Sequence, residues 1–370
     1  MYTEFRTEQE LYKHLVKMAT SAPMTETNNL TYSNGSICDV LNHHPAAKVM
    51  FALYYVLLLI FGSCGNVLAL YITFQRRKKI NSTDLYLINL AISDAFFTLA
   101  LPGRIAYYIL DFNWPFGDGL CRATAFIFYA NTYVGIYFMT CVSVDRYLAV
   151  VHIHHQSRFR KVGYVKYVCL LVWCLVMIQT IPLLFRAMTK MVGTRTTCME
   201  YFNFEEIPKL PVFLLLACVI GYFLPVGIIL WCYLRINFKL CKTARENPLA
   251  DKKGHHKKAF TVIMIVLISL VICFSPYHLN IIQYMVRRLL YPPSCLDQQD
   301  FKIWLQITVA LMNTNCCTDP VIYFFAFKGY KKRVISIFKT YISIPSSSTG
   351  KNPSESNSSS HNQGACSVSD

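Results

Sequence analysis

VMFALYYVLLLIFGSCGNVLALYITF, residues 49–74, carries no charged side chain over 26 consecutive positions. At about 1.5 Å of rise per residue, a helix of that length crosses roughly 30 Å of hydrocarbon with margin to spare. Six more apolar runs follow, near 85–108, 120–151, 167–185, 210–234, 259–286 and 303–327. The chain as a whole agrees: of its 370 residues 54% are hydrophobic, 14% aromatic and only 15% charged, far from a soluble average. These figures exclude a cytosolic enzyme, a disordered chain and a collagen-like one. The expected fold class is an all-α membrane protein, a seven-transmembrane helix bundle. Prolines fall inside several runs (Pro102, Pro182, Pro225, Pro276, Pro320), which a bundle in lipid tolerates when neighbouring groups take up the freed carbonyls.

The formal charge of +16 is unevenly placed. With residues 1–46 and the second, fourth and sixth connections outside, the inner side holds 23 basic and six acidic residues. The outer side then holds 13 and twelve, and Asp94 and Asp319 lie within spans. Cytoplasmic connections are enriched in Lys and Arg, so the amino terminus is expected outside and the carboxyl terminus in the cytoplasm. No cleavable signal pattern precedes the first run, so residues 1–46 read as an exported tail. Asn29-Leu-Thr31 and Asn34-Gly-Ser36 match the glycosylation acceptor there; Asn81-Ser-Thr83 and Asn357-Ser-Ser359 match it on the inner side, where the modification is not made.

Of the fifteen cysteines, most fall inside spans and read as small buried hydrophobes. Cys38, Cys121, Cys198 and Cys295 face the oxidising side and allow three pairings. Residues 328–342 alternate apolar Val334, Ile337 and Phe338 with Lys331, Lys332 and Arg333, as a short amphipathic helix on the inner leaflet would. From Ser343 to the end, eleven of 28 residues are serine and apolar content nearly vanishes, so this segment reads as a disordered tail.

One landmark marks each span: Gly65-Asn66, Leu90-Ala-Ile-Ser-Asp94, Asp145-Arg146-Tyr147, Trp173, Pro225, Cys273-Phe-Ser-Pro276 and Asp319-Pro-Val-Ile-Tyr323. Together, in this order and at these depths, they resemble the rhodopsin-like (class A) G-protein-coupled receptors over about residues 48–342. The resemblance implies a 47–327 receptor domain and a heterotrimeric G protein as partner. It also implies that Cys121 pairs with Cys198, which leaves Cys38 and Cys295 as a second expected pair. Arg146 would meet the G protein, anchored by Asp145 in one state and freed in another, with Tyr147 beside it and Tyr233 and Tyr323 in support. Phosphorylated tail serines would recruit arrestin. Phe274, Leu270 and Ile153 depart from the usual residues at their positions.

A buried, ionised Asp94 needs partners, and Asn131, Asn315 and Asp319 are the expected ones. The family holds a sodium ion at such a place; a hydrogen-bonded polar network without an ion satisfies the same residues. Gly135 stands where many relatives carry a serine hydroxyl. No other metal or cofactor is expected.

The ligand site is expected in the outer halves of the spans, at Arg104, Tyr108, Tyr129, Tyr133 and Tyr277. One cation and several phenols on an apolar lining suit a largely hydrophobic ligand with a few hydroxyl or acidic groups. Arg76 to Thr83, Arg104 to Tyr108, Asn131-Thr-Tyr133, Cys198-Met-Glu-Tyr201 and Lys328-Gly-Tyr-Lys331 look like the oxysterol-sensing chemotactic branch of the family. That likeness implies a hydroxylated sterol as agonist, an inhibitory G protein and a role in immune-cell migration at the plasma membrane. A nucleotide, another lipid or a chemokine-like peptide is the alternative within the family, and a transporter the alternative outside it. Adjacent histidine pairs such as His255-His256 have no catalytic or metal spacing, so no enzyme and no nucleic-acid partner is expected.

Overall fold

The computed structural model describes residues 45–75, 80–151, 159–199, 210–246, 255–291, 294–326 and 330–342. Helices α1 (Pro45–Phe74), α2 (Ser82–Ile109), α3 (Gly117–Val151) and α4 (Val162–Thr180) cover the first four apolar runs, and a 3₁₀ turn, Ile181–Phe185, ends the fourth. Helix α5 comprises Leu210–Cys218, a π-turn at Val219–Phe223 and Leu224–Glu246. Helix α6 repeats that plan as His255–Ser269, a π-turn at Leu270–Phe274 and Ser275–Leu290. Helix α7 runs Cys295–Asn313, breaks at Thr314 and resumes as Asn315–Ala326; α8 is Tyr330–Ile342. Six of these are long and apolar enough to cross a membrane by composition alone. The seventh falls short because α7 breaks at Thr314, leaving a first stretch that carries Asp297, Asp300 and Lys302.

In lipid the apolar effect gives helices no reason to meet, so close packing and polar contacts hold the bundle. Leu99, Tyr167, Leu170 and Val271 accordingly stay exposed on the outside of the bundle. Inside, α1 meets α7 at a Gly–Pro contact: a Cβ on Gly65 would lie 2.5 Å from the Pro320 ring. Pro320 has no N–H to give the Cys316 carbonyl four residues back. Asn66 Nδ2 donates to that carbonyl instead, at 2.8 Å. The break at Thr314 is likewise stapled to α1, where Tyr54 Oη donates to the Ala310 carbonyl at 2.5 Å and lies 2.6 Å from Thr314 Oγ1. Trp173 of α4 donates to Asn89 of α2 at 3.0 Å.

The connection after α4 adds an element beyond the helical expectation, an antiparallel hairpin of β1 (Thr189–Val192) and β2 (Arg195–Cys198). Gly193, at φ +60°, supplies its tight turn. Val192-Gly-Thr-Arg195 is a legible hairpin signal once the segment is freed from the membrane runs. Residues 1–44 and 343–370, with both glycosylation sites and Cys38, lie outside the described residues.

Candidate functional site: a ligand pocket under the hairpin and a switch at the far end

The hairpin is fastened to the bundle mouth from three sides. Cys121, one turn into α3, is disulfide-bonded to Cys198 at the end of β2. Asp118 Oδ1 accepts from the Met188 amide at 2.9 Å and from the Thr189 amide and hydroxyl at 3.0 and 2.9 Å, while Oδ2 pairs with Arg122. After α2, Asn113 accepts from the Thr196 amide at 3.0 Å and Trp114 N–H donates to the Thr196 carbonyl at 2.7 Å. Asp111 meets both Arg195, at 2.6 Å, and Lys48 of α1, at 3.5 Å. Asp118 and Arg122, an i,i+4 pair on α3, escaped the sequence reading because the Met188 and Thr189 groups that Asp118 also holds arrive only with the hairpin.

Arg104 lies directly beneath. It is buried, its Nη1 donates to the Cys198 carbonyl at 3.0 Å, and its guanidinium stands 5.0 and 5.1 Å from the rings of Tyr107 and Tyr108. A cation at this depth is stabilised by those quadrupoles and that carbonyl together. Tyr108 itself stacks on Phe51 and Tyr55 of α1, at 5.1 and 5.4 Å between centroids. Arg104 and Tyr129 line a cavity of about 20 Å³ with Met199, Lys302, Leu305, Gln306 and Val309. That volume holds one water molecule, so a larger ligand requires side chains to move. Met199 closes the top in the left-handed region, at φ 65°, a conformation that costs a non-glycine residue about 1–3 kcal/mol.

Tyr129 and Tyr133 lie near each other and both reach Tyr277, but their rings pack differently. Tyr129 approaches Tyr277 of α6, with ring centroids 6.4 Å apart. The Tyr133 ring instead fills the space beside Gly221 in the α5 π-turn, where a Cβ would come within 2.6 Å of it. A second recess of about 440 Å³ lies between α6 and α7, lined by Asn280, Gln283, Tyr284, Phe301 and Trp304 among others.

At mid-depth Asp94 and Asp319 are both fully buried and within range of each other, with Asn131 beside Asp94. Tyr323 Oη donates to Asp94 Oδ2 at 3.4 Å, and Ser93 donates to Asn131 Oδ1 at 2.7 Å. Among the described residues, Asp94 Oδ1 and both Asp319 oxygens have no hydrogen-bond partner. Three buried acceptor oxygens on two neighbouring carboxyl groups require a shared proton or a cation. The donor set, all oxygen, fits a hard cation such as sodium. Gly135 contributes no ligand: the Asn315 amide nitrogen occupies the space 3.0 Å from where its Cβ would stand.

At the far end of α3 no hydrogen bond or ion pair joins Asp145 to Arg146 among the described residues, the arrangement expected of the state in which Arg146 is freed. Asp145 accepts from Ser82 at 2.6 Å, Thr83 at 2.5 Å and Arg160 Nε at 2.9 Å, so other donors have taken its lone pairs. Arg146 Nε is buried without a partner there. Tyr147 packs on Trp231, 4.7 Å between rings, and Tyr233 on Phe260, 5.6 Å.

A model of the 7 transmembrane receptor (rhodopsin family) matches residues 65–323. G-protein coupled receptor 183 of Mus musculus is 50% identical over 334 residues, covering 90% of this chain and 94% of that one. The Homo sapiens protein of the same name is 50% identical over 326 residues, covering 88% and 90%. Cysteinyl leukotriene receptor 2 of Homo sapiens is 34% identical over 314 residues, covering 84% and 87%. With the bundle, the disulfide and these matches in agreement, the chain belongs to the rhodopsin family of seven-transmembrane G-protein-coupled receptors: a multi-pass membrane receptor, not an enzyme, with a G protein as its partner.

Proposed function

We propose that this receptor sits in the plasma membrane with the hairpin outside and α8 in the cytoplasm, binds a hydroxylated sterol beneath the hairpin, and activates an inhibitory G protein to guide immune-cell migration. The observation that carries the ligand reading is Arg104, a buried cation packed on Tyr107 and Tyr108 and opening with Tyr129 on a cavity whose wall combines Met199, Leu305 and Val309 with Lys302 and Gln306. Apolar burial, at about 25 cal/mol per Å², supplies most of a sterol's affinity without choosing among sterols. Choice comes from the hydroxyls, since a site built to hydrogen-bond them loses about 1–3 kcal/mol for each that is missing. The likeness to G-protein coupled receptor 183 supports this reading only through the sequence stretches the two share. Asp94 and Asp319 would hold sodium in the resting state, and the serine-rich tail would engage arrestin once phosphorylated.

A second reading has its own support: Lys302 joins Arg104 on the cavity wall, and two cations suit an anionic lipid of the kind named in cysteinyl leukotriene receptor 2. Equilibrium binding of a dihydroxycholesterol, cholesterol and a cysteinyl leukotriene separates them. The dihydroxysterol is expected to bind at least about tenfold tighter than cholesterol, with Arg104→Ala and Tyr133→Phe each weakening it. Equal affinity for both sterols, or indifference to both substitutions, overturns the sterol reading.

A further inference from the structure

The recess between α6 and α7 is separate from the cavity under Arg104, because the two take different flanks of the same helix. On α7 the small cavity has Lys302, Gln306 and Val309, whereas the recess has Asp297, Asp300, Trp304 and Thr308. Spacings of three and four keep each set on one stripe, and the two stripes point apart. Leu279 of α6 and Trp304 of α7 line the recess and are exposed on the outside of the bundle, so it opens toward lipid. Where the rings of Tyr284 and Phe301 stack, 3.8 Å between centroids at 11°, the two helices touch. The volume of about 440 Å³ is that of a site which takes a whole small molecule or a large part of a lipid.

Its two ends differ in chemistry. At the hairpin-side end stand Arg287 and, from α7, Asp297 and Asp300. Arg287 Nη1 lies 3.5 Å from Asp297 Oδ1, and both side chains are partly exposed, so this ion pair is loose and worth little by itself. The opposite end is apolar: Leu279 and Trp304 form its walls, and the Thr308 hydroxyl there is spent on the Trp304 carbonyl at 2.7 Å. Between the ends lies Asn280, whose side-chain nitrogen is buried with no hydrogen-bond partner among the described residues. Asn280 precedes Arg287 by seven residues, which sets it about 10 Å deeper along α6. A buried N–H without an acceptor is costly, and lipid supplies no water to relieve it. From the hairpin side inward the recess therefore presents a cation beside two carboxylates, then an N–H donor, then an apolar wall.

We propose that this recess binds a zwitterionic glycerophospholipid of the hairpin-side leaflet, with its phosphate on Arg287, its ammonium facing Asp297 and Asp300, and an ester carbonyl accepting from Asn280. The order of groups along such a lipid is the order along the recess: ammonium and phosphate outermost, ester carbonyls next, acyl chains innermost. The headgroup replaces the loose Arg287–Asp297 pair by two pairs of opposite sign. Cholesterol fits less well, because its one hydroxyl sits at its outer end and its rings offer no acceptor at the depth of Asn280. An anionic lipid satisfies Arg287 but brings no cation for the two aspartates. Because Arg287 and the aspartates belong to different helices, the bound headgroup ties the hairpin-side end of α6 to that of α7. The site is independent of the sterol reading, since it lies on the lipid side of both helices and shares no residue with the cavity under Arg104.

The test is photolabelling of the full chain in nanodiscs of dialkyl phosphatidylcholine, an ether lipid without ester carbonyls. Small amounts of diacyl or dialkyl phosphatidylcholine carrying a diazirine near the start of one chain serve as probes. Labelling of Leu279 and Trp304 is read by peptide mapping and divided by that of Leu170, which faces lipid on α4. The diacyl probe should label the recess about tenfold more than the dialkyl probe, and Asn280→Leu should make the two alike. A diacyl phosphatidylglycerol probe, which has no ammonium, should label less than the diacyl phosphatidylcholine, and Asp300→Asn should narrow that gap. If the diacyl and dialkyl probes label the unmutated receptor equally, or Asn280→Leu preserves their difference, the recess is ordinary lipid contact and the proposal falls. A cholesterol probe that labels the recess where the diacyl probe does not gives the site to a sterol and overturns it too. Should Asn280→Leu fail to reach the membrane, Arg287→Ala at its exposed position decides: the diacyl probe should lose its enrichment over Leu170, and unchanged enrichment overturns the proposal.

Discussion

Asp94 and Asp319 face each other across α2 and α7 with three acceptor oxygens that no described residue satisfies. Two ionised carboxylates cannot share that dry space unaccompanied. Asp94→Asn replaces one of them by an amide of the same shape, which can still bond Tyr323. We expect this variant to fold and reach the membrane while losing any effect of sodium on agonist affinity. Agonist competition in sodium and in choline chloride checks this; an unmutated receptor indifferent to sodium returns the site to a protonated polar network. Asp145 shows how a residue can keep its place and change its partner. The motif Asp145-Arg146-Tyr147 invites an internal ion pair, yet Ser82, Thr83 and Arg160 claim the carboxylate. No spacing in the chain announces Arg160 as a partner, because the contact closes only when the segment after α3 returns to the bundle.

At the scale of the element, prolines create carbonyl vacancies and polar side chains fill them. Asn66 serves the Cys316 carbonyl that Pro320 cannot. Asn66→Ala should therefore cost about 1–3 kcal/mol, read as a lower unfolding temperature of the detergent-solubilised receptor, with agonist selectivity unaltered. The start of α7 depends on a capping box ahead of its apolar stretch, in which Ser294 donates from Oγ and from its amide to Asp297 Oδ2 at 2.7 and 3.0 Å. Those bonds from Ser294, helped by Arg287, hold the Asp297 carboxyl below its ordinary value. A carboxyl so lowered lends stability that is present above the unfolded carboxylate range, about pH 4, and lost as pH falls through the folded value. Amide exchange across Ser294–Asp297 should accordingly speed up below about pH 4 in the unmutated receptor, and Asp297→Asn should remove that dependence.

For the whole molecule, the hairpin and the far end of α3 are the two ends that the proposed receptor switch would have to connect. At one end the Cys198 carbonyl holds Arg104, so whatever moves the hairpin moves the pocket cation. At the other, Asp145 ties α3 to the start of α2 and to Arg160. Asp145→Asn removes the charge from those three bonds. If they belong to one state of the receptor alone, a loss of about 1.4 kcal/mol moves the balance of states about tenfold. Basal nucleotide exchange on a reconstituted G protein should rise without agonist, and unchanged basal exchange would show that the contacts persist in both states.

The membrane class and the seven crossings could be read directly from the chain, because apolar runs of span length with few charges have few physical meanings in water or lipid. Asp94, Arg104 and Cys121 are each conspicuous locally: a charge where charge is costly, or a thiol at the oxidising mouth. The hairpin was less visible, since its short strands lie between two dominating apolar runs. What only the tertiary structure decided is which lone pair meets which hydrogen. Of Tyr129 and Tyr133, one helical turn apart, only Tyr133 packs its ring against the α5 backbone, because Gly221 leaves a gap there. Asp145 accepts from donors on two other segments, and the His278 Nε2 lone pair finds no donor among the described residues. Periodicity fixes the face a side chain leaves from; the partner it finds depends on a second segment whose position no local pattern contains.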